Sequence, residues 1–452
     1  MATFDHIEDV LGQLPLLKTY THILLCFPLE DDARQPVLDA LQVAARNVTQ
    51  ALPFLAGKVV NEGKGPDSSG IFKVARHTEW ESPDYKFVRV EDLSTVCASY
   101  KEIRNARGPT SMLPGHLLGA RKNFPEQYHE TEDDPAPVMD IQANIIRGGL
   151  LLDIAAQHNI VDATGIFQIG NLLAICMRGE QIPKPMILEG NRDRRALISL
   201  LGKDEPLLDH SDNQGPASFP TLTLDLLRAS RWWSIAISAD SLARIVAEAQ
   251  SKPDDFVPSM TMISANDAVT AFLWQRITKM RMGRLGTPNA TSMLNRAVDF
   301  RRVMHVSNAY LGHMVRLAML RLSFQEIVDS SLSRLASLLR RQVQEMSNEY
   351  ALRSYTTFIA NEPDKSKIAY GGAFDFTNDM AISSMAHVQL PHFGVLGAPD
   401  MLRKPIHGPQ PCSTYVSAGA NGGLEMLMCL HEEEFALLCK DEDWATYVDF
   451  VL

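Results

Sequence analysis

Between Pro36 and Leu52 the apolar residues Val37, Leu38, Leu41, Ala44, Ala45, Val48 and Leu52 recur at three- and four-residue spacing. That interval returns to one face of a helix. Pro36 suits the first turn of such a helix, Pro53 breaks it, and 54–60 reads as the start of a strand. The run at 150–156 is continuously apolar apart from Asp153 and predicts a strand buried on both faces. Ile166, Ile169, Leu172, Leu173 and Cys176 then return to helical spacing. In the second half, 232–237 predicts a strand, and 240–249 and 266–280 predict helices. The stretch 324–346 predicts one longer amphipathic helix with Leu332, Leu335, Leu339, Val343 and Met346 on one face. Strand-like pieces follow near 413–417 and 424–430.

Two stretches lack this periodicity. Residues 101–137 are rich in Pro, Gly and charge, and long irregular segments in compact domains are often binding loops. Residues 178–220 hold Pro183, Pro185, Pro206, Pro216 and Pro220 among many charges, the composition of a linker. Helices and strands interleave on both sides of it. The economical reading is two α/β domains, 1–180 and 223–452, joined by a crossover at 181–222.

Composition narrows the function. Of 452 residues, 45% are hydrophobic and 21% charged, with 43 basic against 54 acidic side chains and a net charge of −11. A disordered chain would be less apolar, and a nucleic-acid binder would carry a basic surplus. The N-terminus has two early acids and no long apolar stretch, so it does not read as a signal peptide. No apolar run approaches the roughly 20 residues that span a bilayer. Six scattered cysteines without a Cys-x-x-Cys pair read as reduced thiols. The expectation is a cytoplasmic monomer with no nucleic-acid or membrane partner and no bound metal.

The chemically informative stretch is Gln157-His158-Asn159-Ile160-Val161-Asp162-Ala163-Thr164-Gly165. It places a histidine at the end of a buried strand and an acid where the next helix begins. Histidine is the side chain best suited to general-base work near neutral pH. Spacing alone also fits a buried histidine bonded to backbone, followed by an ordinary N-cap aspartate.

The surrounding segments resemble those of the BAHD acyltransferases, in the fungal branch of trichothecene 3-O-acetyltransferases. They are Leu11-Gly12-Gln13-Leu14-Pro15, Pro53-Phe54-Leu55-Ala56-Gly57-Lys58-Val59, Gly148-Gly149-Leu150 leading into Gln157-His158, and Asp267-Ala268 with Ala271-Phe272-Leu273-Trp274. Then come Ala297-Val298-Asp299-Phe300-Arg301, Val306-Ser307-Asn308-Ala309-Tyr310-Leu311-Gly312 and Asn361-Glu362-Pro363-Asp364-Lys365-Ser366. The family's second signature stands here as His392-Phe393-Gly394-Val395-Leu396-Gly397.

The resemblance implies two chloramphenicol-acetyltransferase-like α/β domains with a solvent channel at their interface. It implies an acyltransferase with no permanently bound cofactor, using acyl-CoA, most simply acetyl-CoA, as co-substrate and a small-molecule alcohol or amine as acceptor. His158 would be the general base, titrating near 6–7, and Asp162 would pair structurally with Arg301. Ser383, Ser384 and Gly394 would lie on the CoA side. A condensation-domain relative using a carrier-bound donor, or a non-catalytic protein on the same fold, are the alternatives. The chain departs from the pattern at His392, where the family has aspartate, at Val395 and Leu396, and at Met385. A histidine cannot replace the aspartate's arginine pair. His392 is therefore expected to bond to backbone or solvent, with Phe393 and Gly394 holding the loop.

Overall fold

The computed structural model describes residues 2–123, 128–215, 222–448 and 450–451. Pro216 and Pro220 of the expected linker, and 124–127 of the expected binding loop, lie outside the described residues. Two large sheets organise the rest. The first has five strands in the order Met401–Arg403, Tyr20–Pro28, Gly149–Gln157, Met139–Ile146, Val88–Asp92. The second has seven, in the order Phe450–Val451, Ser230–Ile237, Leu424–His431, Ser413–Ala418, Met380–Ser384, Thr291–Asp299, Val315–Ser323. A hairpin of Gly57–Glu62 and Ile71–Arg76 stands apart.

The expected double-sided strand is Gly149–Gln157, buried at every position. Strand alternation explains why. Leu150, Leu152, Ile154 and Ala156 join Ile23, Leu25 and Phe27 beneath the helices Arg34–Ala51 and Ala163–Met177. On the opposite face Leu151 packs with Leu24, Cys26, Tyr100, Ile103, Leu113 and Leu118. The ladder pairs Tyr20 with Gln157 and His22 with Ala155, which brings the end of this strand, and His158, beside Thr19.

The second sheet has its main core on one face, and a small cluster around Met293, Phe374 and Phe376 covers part of the other. Leu294, Ile382, Val416, Met426 and Met428 pack under the helices Ala239–Gln250, Ala265–Leu285 and Leu332–Met346. Alternate residues such as Asn295, Ala297, Ser383, Tyr415 and Leu427 face an open cavity. Among the described residues, no helix is long and apolar enough to cross a membrane.

Three local expectations change. The single helix over 324–346 is two, Phe324–Asp329 and Leu332–Met346. Ser331 is extended at φ −64, ψ 154, and its hydroxyl accepts the Arg334 N–H as an N-cap. The apolar spacing continues across the break, so periodicity alone reads through it. The strand expected from 54 begins at Gly57, after a 3-10 turn at Pro53–Ala56. The irregular stretches contain short helices at Tyr100–Asn105 and Lys184–Gly190. The first is capped reciprocally by Ser99 and Glu102, a local device that needs no apolar period.

Candidate active site

A cavity of about 550 Å³ lies between the two sheets, with His158 in its wall. The side chain gets there because the strand ends in a tight turn. The His158 N–H donates to Thr19 carbonyl at 2.8 Å, and the N–H groups of Ile160 and Val161 both donate to Gln157 carbonyl. The ring is half-buried. Its Nδ1 is enclosed without a protein partner, which leaves Nε2 as the nitrogen open to the cavity. Burial, the dominant cause, pushes the imidazole below the ordinary histidine value of 6.5, and Lys404 adds to this. The expected titration near 6–7 therefore moves lower, because a desolvated site disfavours the charged ring. At neutral pH His158 is uncharged and able to accept a proton.

Asp162 is turned away from that ring. It caps the helix Ala163–Met177, with Oδ1 accepting the Gly165 N–H at 2.9 Å. The same carboxylate takes both ends of the Arg301 guanidinium, Nη2 to Oδ1 and Nη1 to Oδ2, each at 2.8 Å. Oδ2 also accepts the Met314 N–H at 3.0 Å. Burial raises the Asp162 carboxyl, but Arg301 and the donated hydrogen bonds outweigh it and hold the group below the usual carboxylate range.

Arg301 is satisfied on every side. Besides Asp162 it donates to Asp299 Oδ2, to the carbonyl of Tyr310 from both Nε and Nη2, and to the carbonyl of Gly312. Thr164 Oγ1 donates to the same Asp299 at 2.7 Å. Gly165 permits this junction, since a Cβ there would lie 2.4 Å from the Leu311 carbonyl oxygen. The structure thus brings Asp162 and Arg301 together across the two halves. Among the described residues no hydrogen bond joins Asp162 to the His158 ring.

The remaining expected residues divide. Ser383 and Ser384 line the cavity from the strand Met380–Ser384. Gly394 and His392 are not among its lining residues. Gly394, at φ +61, sits where a Cβ would meet the Met177 carbonyl oxygen at 2.8 Å. Its role there is close packing on a helix end. The clustered cations Lys279, Arg281 and Arg284 do not line the cavity and are paired with Asp441 and Glu434. Arg403 and Lys404 line the cavity, Arg403 bonded to Glu425 and Lys404 with Nζ 3.9 Å from the centre of the Tyr415 ring. Among the described residues no group of three or more His, Cys, Asp and Glu side chains is placed to hold a metal ion.

One neighbour of the base escaped the sequence reading. His313 is 1% exposed, and its ring centre lies 5.4 Å from that of His158. Its Nε2 faces the Val315 carbonyl at 3.1 Å, so that nitrogen carries the proton and donates. Burial first, and then His158, push its pKa down to about 4. The base is therefore backed by a second, uncharged imidazole. The available signal was its position directly after Tyr310-Leu311-Gly312.

Comparison with known proteins matches residues 19–176 to the trichothecene 3-O-acetyltransferase-like N-terminal domain and residues 120–438 to the Transferase family. The chain is 42% identical to an O-acyltransferase, pigD, of Monascus ruber over 98% of both chains. It is 38% identical to an O-acetyltransferase, epaC, of Aspergillus niger over 98% of this chain and 96% of that one. It superposes on the crystal structure of F. graminearum TRI101 complexed with coenzyme A and T-2 mycotoxin with a TM-score of 0.88, at 27% identity and 98% coverage of both.

Proposed function

The chain belongs to the Transferase family, the BAHD acyltransferases, and from that premise we propose that it transfers an acetyl group from acetyl-CoA to a hydroxyl of a fungal-type secondary metabolite, with His158 as general base. The family, the two-domain α/β fold and acyl-CoA-dependent O-acyl transfer agree with its relatives. The observation that carries the assignment of the base is the placement of His158. A neutral imidazole opens into the cavity from a rigid strand end, while the acid of its motif is committed elsewhere.

In this reading both substrates meet in the cavity. His158 Nε2 takes the proton of the acceptor hydroxyl as its oxygen attacks the thioester carbonyl. The tetrahedral intermediate collapses with cleavage of the C–S bond, and the imidazolium returns its proton to the departing thiolate. Holding two substrates beside one base supplies the proximity term of catalysis without an acyl-enzyme. Ser383 and Ser384 lie on the donor side, and Lys404 contributes positive charge to the wall, whereas the charge of Arg403 is offset by Glu425. The chain divides at 181–222, between the two large sheets, with the strand Met401–Arg403 crossing back to the first.

The test is incubation with acetyl-CoA and a panel of hydroxylated terpenoids and alkaloids, following free thiol and acetylated product. Thiol release that depends on His158 supports the reading. Equal release from His158→Ala overturns it.

A further inference from the structure

The turn that carries His158 is gripped a second time, by residues that do not line the cavity. Arg194, in the crossover segment 181–222, has a side chain that is 0% exposed. Its Nη1 donates to the Ile160 carbonyl at 2.8 Å, two residues past the base. The Asp9 carboxylate lies 3.7 Å from the same nitrogen and accepts the Gly12 N–H at 2.6 Å through its other oxygen. Gly12 itself sits so close to the turn that a Cβ there would lie 2.1 Å from the Asn159 carbonyl oxygen. Both residues between His158 and Val161 are thus touched from outside, one by the N-terminal segment and one by the crossover.

This grip differs from the Asp162–Arg301 lock. Arg301 divides its donors among Asp162, Asp299 and two carbonyls of its own segment. Arg194 reaches the turn through one hydrogen bond, to a main-chain oxygen beside the base. A buried guanidinium needs compensation. Here Asp9 supplies it together with two aromatic rings, Phe54 and Tyr310, centred 5.2 and 5.3 Å from the guanidinium carbon. A planar guanidinium packs well on such rings, and a charged donor makes the stronger kind of hydrogen bond. The Tyr310 ring also lies 5.6 Å from the Arg301 guanidinium, so one ring spaces the two arginines that hold the turn. The direction of a histidine at a strand end follows its backbone. A misplacement of about 1 Å at a catalytic group can lower the rate about a hundredfold.

We propose that Arg194 is a positioning residue for His158. Through the Ile160 carbonyl, and with Asp9 behind it, Arg194 fixes the turn so that the imidazole stays aimed into the cavity. The proposal rests on the acyltransferase reading, in which that ring is the base. Arg194 touches no substrate in this role, so its loss acts on turnover and not on substrate affinity.

Arg194→Met keeps much of the side chain's length and removes the donor. Thiol release from acetyl-CoA is measured with the panel alcohol that the unaltered enzyme acetylates fastest. In Arg194→Met, kcat is expected to fall at least about tenfold, with KM for acetyl-CoA within about twofold. Carbon-13 labelling at histidine Cε1 reads the ring directly, the His158 signal being the one missing from His158→Ala. That signal should shift or split in Arg194→Met, while the signal of His431, on a strand of the second sheet, stays in place. Asp9→Asn is the milder variant. It keeps an acceptor for Gly12, and burial already pushes the Asp9 carboxyl up to about 6, so a neutral side chain suits the site. It should lower kcat about threefold and move the His158 signal by less. If Arg194→Met does not fold, Asp9→Asn decides. A His158 signal and a kcat that keep their unaltered values in the folded variant overturn the positioning role. The ring signal is read without turnover, so a shift in a chain whose thiol release does not depend on His158 supports the grip on the turn and fails the proposed function alone.

Discussion

Two segments of this chain carry family signatures, and the structure holds them in opposite ways. The turn 157–165 is held by charge and hydrogen bonds. The Asp162 carboxylate receives four donors, two from Arg301 and one each from Gly165 and Met314. The loop 392–397 is held by packing. Phe393 is fully buried with its ring 5.2 Å from that of Phe27, and Gly394 nests on a helix end. Among the described residues its one charged contact is to backbone, where Arg178 Nη1 donates to the His392 carbonyl at 2.7 Å while Glu180 takes the rest of the guanidinium. The family aspartate is gone from this loop, yet an arginine still closes it. A buried ionic lock tolerates no missing member, whereas a packed loop can change a surface residue. The two segments should therefore respond very differently to substitution.

The largest effect is expected at the lock. Asp162→Ala takes the two-pronged partner from the buried Arg301 guanidinium, leaving only the Asp299 carboxylate, whose side chain is 33% exposed, and strips the Gly165 and Met314 N–H groups of their acceptor. Breaking such a buried pair costs about 3–5 kcal/mol. Chemical denaturation should show that loss, with activity falling alongside it. A midpoint close to that of the unaltered protein would show that the turn is not held by this pair. Next comes His158→Ala, which removes the base but no lock. Turnover should fall at least about a hundredfold, with melting temperature and CoA binding close to those of the unaltered enzyme. A comparable fall in stability would make His158 part of the scaffold and blur the contrast.

The difference between the two segments also shows what can be read from a chain. The strand at 150–156 and the helix after it were legible because both bury continuous or regularly spaced apolar residues. Met139–Ile146 was not, since Gln142 and Asn144 interrupt it. Both are buried, and their amide groups donate to the carbonyls of Leu117 and Leu118, which no local pattern announces. Met401–Arg403 is too short to signal and borrows its stability from a strand far away in sequence. Within the site, His158 was legible from its motif, and Arg301 only through family resemblance, because no spacing rule links residues 139 apart.

A smaller effect should appear as pH dependence on the His158 side. An unfolded chain protonates His313 near 6.5, whereas burial holds the folded value at about 4. Acid therefore favours the unfolded chain, which binds more protons. The contribution is complete above pH 6.5 and is lost as pH falls, by about 2 kcal/mol at pH 5. Asp9, pushed up to about 6 by burial, works in the opposite sense over the same range, so the raw slope mixes the two. Comparing the chain with its His313→Asn variant by urea unfolding at pH 7 and pH 5 isolates the histidine. The gap in stability between them should shrink by about 2 kcal/mol on going to pH 5. A gap that stays constant would mean that His313 does not titrate as a buried neutral ring.

The smallest effect is expected at His392, the most conspicuous departure from the family pattern. Its side chain is exposed and outside the cavity, and the contact that matters is made by its carbonyl, which alanine retains. His392→Ala should therefore change stability by less than about 0.5 kcal/mol, the usual range for a surface position. Single-turnover acyl transfer at saturating donor and acceptor should stay within about twofold. Gly394→Ala, two residues on, supplies the internal control. It forces a side chain onto a positive φ and against the Met177 carbonyl oxygen, and should cost about 1 kcal/mol or more. If His392→Ala instead stopped the chemical step with the fold intact, as His158→Ala should, the second signature would belong to the catalytic apparatus and the division between a charged lock and a packed loop would fail.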